Sequence, residues 1–336
     1  MSTVPSSFVE LDDPALASSL EEGMERVEAE LREAVRHVDA YIDGASTHLV
    51  DAGGKRLRPL LTLLAGQLGT GQAGPVPDDV VKAAVVVELT HLASLYHDDV
   101  MDEALLRRGV PSANARYGNS VAILTGDLLF ARASKVVADL GTDAVRIQAS
   151  TFERLCAGQI QETVGPGPEQ DPVEHYLAVL ADKTGSLIAT AGLFGARFGG
   201  CDEATVQIMR MYGERLGVAF QLADDLIDLA SVSEQSGKTP GTDLREGIAT
   251  LPVLLARRSG DPADEPLLTL LAGSLDDDAE LDRALTLLRA HPALVEATAQ
   301  TRQWAQDARA ALEPLPAGPV KDALDALALA VVHRSA

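Results

Sequence analysis

The 336-residue chain is short of lysine, aromatic residues and cysteine, and each shortage excludes something. Only six lysines occur, and 28 Lys and Arg stand against 50 Asp and Glu, a formal charge of −22 at pH 7. A chain this acidic repels nucleic acid and anionic lipid, so no nucleic-acid partner is expected. An anionic substrate would need a local basic cluster or a bridging cation. Aromatics make up 4% of the chain, and the apolar mass is mostly Ala, Leu and Val, which favours helices over sheets. The two cysteines, Cys156 and Cys201, cannot form a disulfide framework, so a cytoplasmic protein is expected. The first 31 residues lack the basic-then-apolar pattern of a signal peptide. No transmembrane segment is expected, because no apolar run approaches the roughly 20 residues that span a bilayer. Nor is there a convincing alternating strand pattern.

Helical periodicity runs through the chain. It predicts helices over about 14–42, from the GGKRLRP segment to 68, and over 78–101, with Asp78 or Asp79 as cap. Further helices are expected over 120–140, 143–163, from 172 (capped by Asp171) and over 202–229. A polar loop covers 231–247, and shorter helices follow. The breaks are short, so a single all-α domain over 1–336 is expected, with residues 1 to about 15 as a loose tail.

Two aspartate clusters stand out, Asp98-Asp99-Val100-Met101-Asp102 and Asp224-Asp225-Leu226-Ile227-Asp228, each a DDxxD inside an apolar helix. Residues i and i+4 of a helix lie within about 40° of each other, so Asp98 and Asp102 share a face with Asp99 beside it. His91, seven residues before Asp98, falls on almost the same face. In the second cluster Gln221, Asp225 and Asp228 align, with Asp224 adjacent. Like charges this close are costly unless a cation lies between them, and an all-carboxylate donor set suits a hard ion such as Mg²⁺. One such cluster alone reads equally well as a solvated acidic face; two are harder to explain that way.

The scarce lysines are the second clue. Three of the six stand in glycine-containing stretches, at Gly54-Lys55, Lys183-Thr184-Gly185 and Gly237-Lys238, and Arg58, Arg107 and Arg108 join them. Positive charge next to a backbone that permits close approach is what a phosphate needs. Each taken singly reads as an ordinary surface charge. Taken with the aspartates they describe a site for two diphosphates, one held through metal and one held directly.

The stretches GGKRLRP at 53–59, LTHLASLYHDDVMDEALLRRGVPSANARYGN at 89–119, GD at 126–127, KTG at 183–185, QLADDLID at 221–228 and GKTPGTDLREG at 237–247 resemble the trans-isoprenyl diphosphate synthases (polyprenyl synthetases). Order and spacing match from about residue 20 onward, and the wording is most similar to bacterial medium- and long-chain members. The resemblance implies an all-α helical bundle of the isoprenoid synthase type with a central cavity. It implies condensation of isopentenyl diphosphate with an allylic diphosphate, head to tail, releasing pyrophosphate. It further implies three Mg²⁺ per active site, with Mn²⁺ as a substitute, and a homodimer.

Carried over by resemblance, Asp98, Asp102 and Asp224 hold the metal, while Asp99, Asp225 and Asp228 are further ligands or bind metal-bound water. Arg107, Lys183 and Lys238 take the allylic diphosphate; Gly54, Lys55, Arg58, His91 and Arg108 take isopentenyl diphosphate. Lys183, Thr184 and Gln221 act on the reacting centre, the last two as oxygen dipoles near the allylic cation. His97 is expected to be structural. Ile248 stands where many relatives carry lysine, and Arg245 is the candidate substitute. Ala93, five residues before the first aspartate, is expected to gate product length, with Thr90 and Val86 below it on the same face; none is bulky, so the expected product is longer than farnesyl. Phe130 or Leu129 is a candidate floor, although both read equally as core. Other readings are a geranylgeranyl or farnesyl synthase, a non-catalytic subunit of a two-component synthase, or a class I terpene cyclase.

Overall fold

The computed structural model describes residues 11–69, 74–230 and 240–333. Helices α1 (Pro14–Val35), α2 (Ala40–Asp51) and α3 (Leu57–Gly66) lead to α4 (Asp78–Met101). A two-strand hairpin, β1 (Leu106–Arg107) with antiparallel β2 (Val110–Pro111), precedes α5 (Ala113–Tyr117), α6 (Asn119–Ala138) and α7 (Thr142–Val164). Then α8 (Pro172–Leu180) runs through a π-helical turn, Ala181–Gly185, into α9 (Ser186–Phe198), and α10 (Glu203–Ala230) follows. Shorter helices close the chain, the longest being Pro292–Ala311.

The expected all-α bundle is present. Helix α4 is its axis, packed against α3, α6 and α9. From Val80 to Val87 every residue except Lys82 is buried, because a helix that is apolar all round can only sit inside a core. Helices α9 and α10 run tightly together. A Cβ on Gly217 of α10 would lie 2.7 Å from the Gly185 Cα, so glycine is what permits that approach. A smaller apolar cluster joins α8 and the end of α10 to the helices beyond 250, and Trp304 packs against both clusters.

Four local expectations change. The predicted helix 14–42 is two helices, because Asp39 accepts from the Tyr41 and Ile42 amides and caps a new start. Helix α4 has no side-chain cap; Asp78 and Asp79 lie inside its first turn, where their charge meets the positive end of the helix dipole. Strand pairing exists, although only as the two-residue hairpin. And residues 172–198 form one helical stretch long and apolar enough to span a bilayer, but 72% of its most apolar window is buried in the bundle, so it is a core element.

Candidate active site

The loop before α3 builds a basic wall. Gly54 has φ +146°, and a Cβ there would meet the Arg108 guanidinium at 2.8 Å, so Arg108 lies flat on this glycine. Arg108 itself, φ +54°, donates to the Leu49 and Gly53 carbonyls. Arg56 is also left-handed, φ +51°, and its guanidinium is locked inside by Glu28 (2.6 Å) and Glu88 (2.8 Å). Two strained non-glycine residues persist here because the ion pairs of Arg56 and the carbonyl hydrogen bonds of Arg108 over-determine them. Helix α3 starts without a side-chain cap, so its first-turn amides, with their share of the helix dipole, open beside the arginines.

Arg58 lines the same wall, and its Nε is buried without a partner. Burial lowers its pKa to about 10, against the pull of Glu88, so it keeps its charge at neutral pH. Burial, then the charge of Arg58 and Arg108, holds His91 well below the usual imidazole range. The site thus presents a neutral imidazole ringed by guanidinium cations, with an unpartnered guanidinium donor among them.

The acidic side divides into two kinds of aspartate. Asp99 is fully buried: Oδ1 accepts from Arg107 Nε at 2.6 Å and Oδ2 from the Ala113 amide at 3.0 Å. It fastens the hairpin to α4 and so positions Arg107 and Arg108. Asp98 and Asp102, one turn apart, are raised above the usual carboxylate range, Asp98 to about 6, by burial against the opposing charge of Lys183. On α10, Asp225 repeats the Asp99 arrangement. It accepts from the Tyr176 hydroxyl and from Gln221 Nε2 (3.1 Å), and burial raises it to about 6. Asp228 takes the Thr242 and Asp243 amides and so caps the short helix Thr242–Arg245. Asp99, Asp225 and Asp228, expected among the metal ligands, therefore have both oxygens committed to protein donors.

The π-turn carries Lys183 and Thr184. A π-turn widens the helix by one residue and often marks a functional position. Lys183 pairs with Glu162, while Thr184 Oγ1 donates to Gln221 Oε1 at 3.4 Å. A continuous relay thus runs Thr184–Gln221–Asp225–Tyr176. Arg154 fixes the turn from outside, bonding Asp182 (2.7 Å) and Glu214 (3.1 Å).

One cavity of about 370 Å³ brings much of this together. Gly54, Lys55, Arg58, His91 and Arg108 line it together with Asp98, Lys183, Thr184 and Gln221. Among the described residues no three His, Cys, Asp or Glu side chains converge closely enough to hold an ion alone, so the expected six-aspartate cage is not closed. The donor set still fits Mg²⁺, which is characteristically held by one or two carboxylates plus substrate phosphates. Lys238 lies outside the described residues. Arg245 does not stand in for a lysine at Ile248, because its guanidinium turns away to the Asp276 carbonyl and the Asp278 carboxylate. His97 bonds the Ile123 carbonyl at 3.1 Å and packs on Phe130, as a structural residue does. Ala93 is buried behind the cavity wall where α4 meets α6, and Ser94 is the residue that lines the wall.

Arg56, Glu88, Glu162 and Tyr176 escaped the sequence reading. Glu88 was the findable one: a lone acid in the apolar run 83–90 requires a buried cation.

The polyprenyl synthetase family model matches residues 39–288. A nonaprenyl diphosphate synthase of Mycobacterium tuberculosis is 48% identical over 97% of this chain and 96% of its own length. The geranylgeranyl pyrophosphate synthase of Corynebacterium glutamicum, solved with calcium and isoprenyl diphosphate, superposes with a TM-score of 0.87 at 44% identity, covering 97% of this chain and 99% of that one. A decaprenyl diphosphate synthase from Rhodobacter capsulatus superposes with a TM-score of 0.86 at 36% identity, covering 96% and 98%.

Proposed function

The chain belongs to the polyprenyl synthetase family, and from that premise we propose that it condenses isopentenyl diphosphate with an allylic diphosphate, head to tail, releasing pyrophosphate. The product is a trans-polyprenyl diphosphate longer than farnesyl. The observation that carries this reading is one cavity lined both by a cluster of cations (Lys55, Arg58, Arg108) and by a carboxylate and a lysine (Asp98, Lys183). It has two chemically distinct places for two diphosphates.

Isopentenyl diphosphate is held directly. Arg58, Arg108, Lys55 and the first amides of α3 receive its charge, and neutral His91 accepts or donates one further hydrogen bond. The allylic diphosphate lies toward Asp98, Asp102 and Asp224, with Arg107 and Lys183 adding positive charge. Those three aspartates would hold Mg²⁺, which when bound would supply Lewis acidity at the leaving pyrophosphate. Thr184 and Gln221 turn oxygen atoms toward the positive charge that develops on the allylic carbon, and Asp225 with Tyr176 holds them there. Asp99 and Asp225 position these groups. The partner is a second copy of the chain, a reading supported by the apolar residues Ile123 and Leu124 on α6 and Val145 and Ile160 on α7, all exposed.

Incubation with Mg²⁺, labelled isopentenyl diphosphate and geranyl, farnesyl or geranylgeranyl starters, with products sized by mass spectrometry, tests the reading. Head-to-tail products longer than the starter are expected; absence of isopentenyl incorporation with all three would overturn it.

A further inference from the structure

The β1–β2 hairpin carries Arg107 and Arg108, and Arg108 lines the cavity, yet no residue from 105 to 111 is buried. Apolar burial therefore does little to fix the hairpin, and its place depends on polar fasteners. One is Asp99 of α4, which takes Arg107 and the Ala113 amide. Another comes from α2. His48, 7% exposed, sets its Nε2 2.7 Å from the Pro111 carbonyl and its Nδ1 3.2 Å from the Arg116 guanidinium. A carbonyl can only accept and a guanidinium can only donate, so the two contacts together require a neutral ring protonated at Nε2. The Tyr117 ring packs edge-on against the imidazole, with 5.6 Å between centroids.

The turn of α2 that carries His48 is itself pinned. The Tyr96 hydroxyl donates to the Ala45 carbonyl at 2.5 Å and accepts from the Leu49 amide at 3.3 Å, so α4 grips both ends of that turn. The Tyr117 hydroxyl donates to the Gly44 carbonyl at 2.8 Å. Leu49, the next residue after His48, offers its carbonyl to Arg108 at 3.0 Å. Two neighbours on one pinned turn thus reach across to the hairpin, Leu49 to the Arg108 guanidinium and His48 to the backbone at Pro111. Arg108 holds a left-handed backbone, φ +54°, which a non-glycine residue keeps only where its surroundings impose it. Held by its side chain alone, it could relax by a shift of the hairpin backbone; the His48 bond opposes that shift.

We propose that His48 is a positioning residue for isopentenyl diphosphate, acting through the Pro111 carbonyl to hold Arg108 at the cavity; the proposal rests on the prenyl-transfer reading above. Arg107 is fastened independently by Asp99, so the effect falls on the directly held diphosphate and not on the allylic one. That asymmetry separates positioning from a general loss of structure, which would weaken both substrates and lower kcat.

The test is steady-state kinetics of full-length variants, with each substrate varied in turn. His48→Ala is expected to raise KM for isopentenyl diphosphate about tenfold, the scale of one buried hydrogen bond, and to leave kcat and KM for the allylic starter within about twofold of wild type. His48→Gln and His48→Asn then separate the two ring nitrogens. Glutamine reaches the Nε2 position and still donates to Pro111; asparagine stops at the Nδ1 position and does not. His48→Gln is expected to restore the wild-type KM, and His48→Asn to behave as alanine does. Equal KM values for the two amide variants, or a rise shared by both substrates, would overturn the proposal. If the alanine variant fails to fold, as judged by circular dichroism, the two amide variants decide. A wild-type protein that incorporates no isopentenyl diphosphate instead defeats the prenyl-transfer reading, and this proposal falls with it.

Discussion

Identical aspartates within one motif do different work, and substitution separates them. Asp98→Ala or Asp224→Ala removes a proposed metal ligand, and at Asp98 this breaks no structural hydrogen bond of the Asp99 kind. Turnover is expected to fall by orders of magnitude while the helical circular dichroism spectrum and melting temperature stay close to wild type. Asp99→Ala instead strands Arg107 and the Ala113 amide, and breaking such a buried pair costs about 3 kcal/mol. Its melting temperature should drop with its activity, and a melting temperature equal to that of the Asp98 variant would refute the distinction. His91 is a second residue-scale case. Its pKa is depressed in the native state, so below pH 6.5 the unfolded chain takes up a proton that the native protein refuses. The His91 contribution to stability is therefore lost as pH falls below 6.5, and none of it changes above that value. In an NMR titration the His91 ring should show no inflection near 6.5; an ordinary imidazole titration there would contradict the arginine-ringed geometry.

At the scale of elements, the site depends on how closely α10 approaches the π-turn. Gly217, one turn before Gln221, touches Gly185, the neighbour of Thr184, and this contact brings the Thr184 and Gln221 side chains together. Gly217→Ala forces the two helices apart. The expected cost is about 1–3 kcal/mol of overpacking, with a lower kcat and little change in KM for isopentenyl diphosphate, whose wall lies on α3 and α4. A change confined to KM would show that the contact does not position the reacting centre. The hairpin is the other such element: two residues a strand, yet through Asp99 it delivers Arg107 and Arg108 to the cavity.

Taken whole, the molecule carries its acid excess outside and gathers Lys55, Arg56, Arg58, Arg108 and Lys183 at one cavity. Removal of divalent metal by EDTA should abolish turnover and leave the fold unchanged, because the described helices are held by apolar packing; activity should return with added Mg²⁺. Persistent turnover after exhaustive chelation would exclude the metal role. The exposed apolar residues of α6 and α7 predict a dimer in light scattering. Leu124→Asp, which puts a charge on the most exposed of those residues, is expected to give a monomer, and a variant that remains dimeric would place the interface elsewhere.

Much of this was legible in the chain itself. Helical periodicity and the shortage of aromatic and β-branched alternation determined an all-α fold. The DDxxD repeats and glycine-flanked cations determined a diphosphate chemistry, because charge type and helical spacing are local properties. Local spacing could not say which aspartates face the cavity. Asp98 and Asp99 are neighbours in sequence, and only the packing of the hairpin against α4 commits one to structure and leaves the other at the cavity. The same holds for Arg56, Tyr176 and His48, whose partners lie 28 to 63 residues away. A buried polar group takes its role from whatever the fold sets against it, and that juxtaposition exists only once the helices are packed.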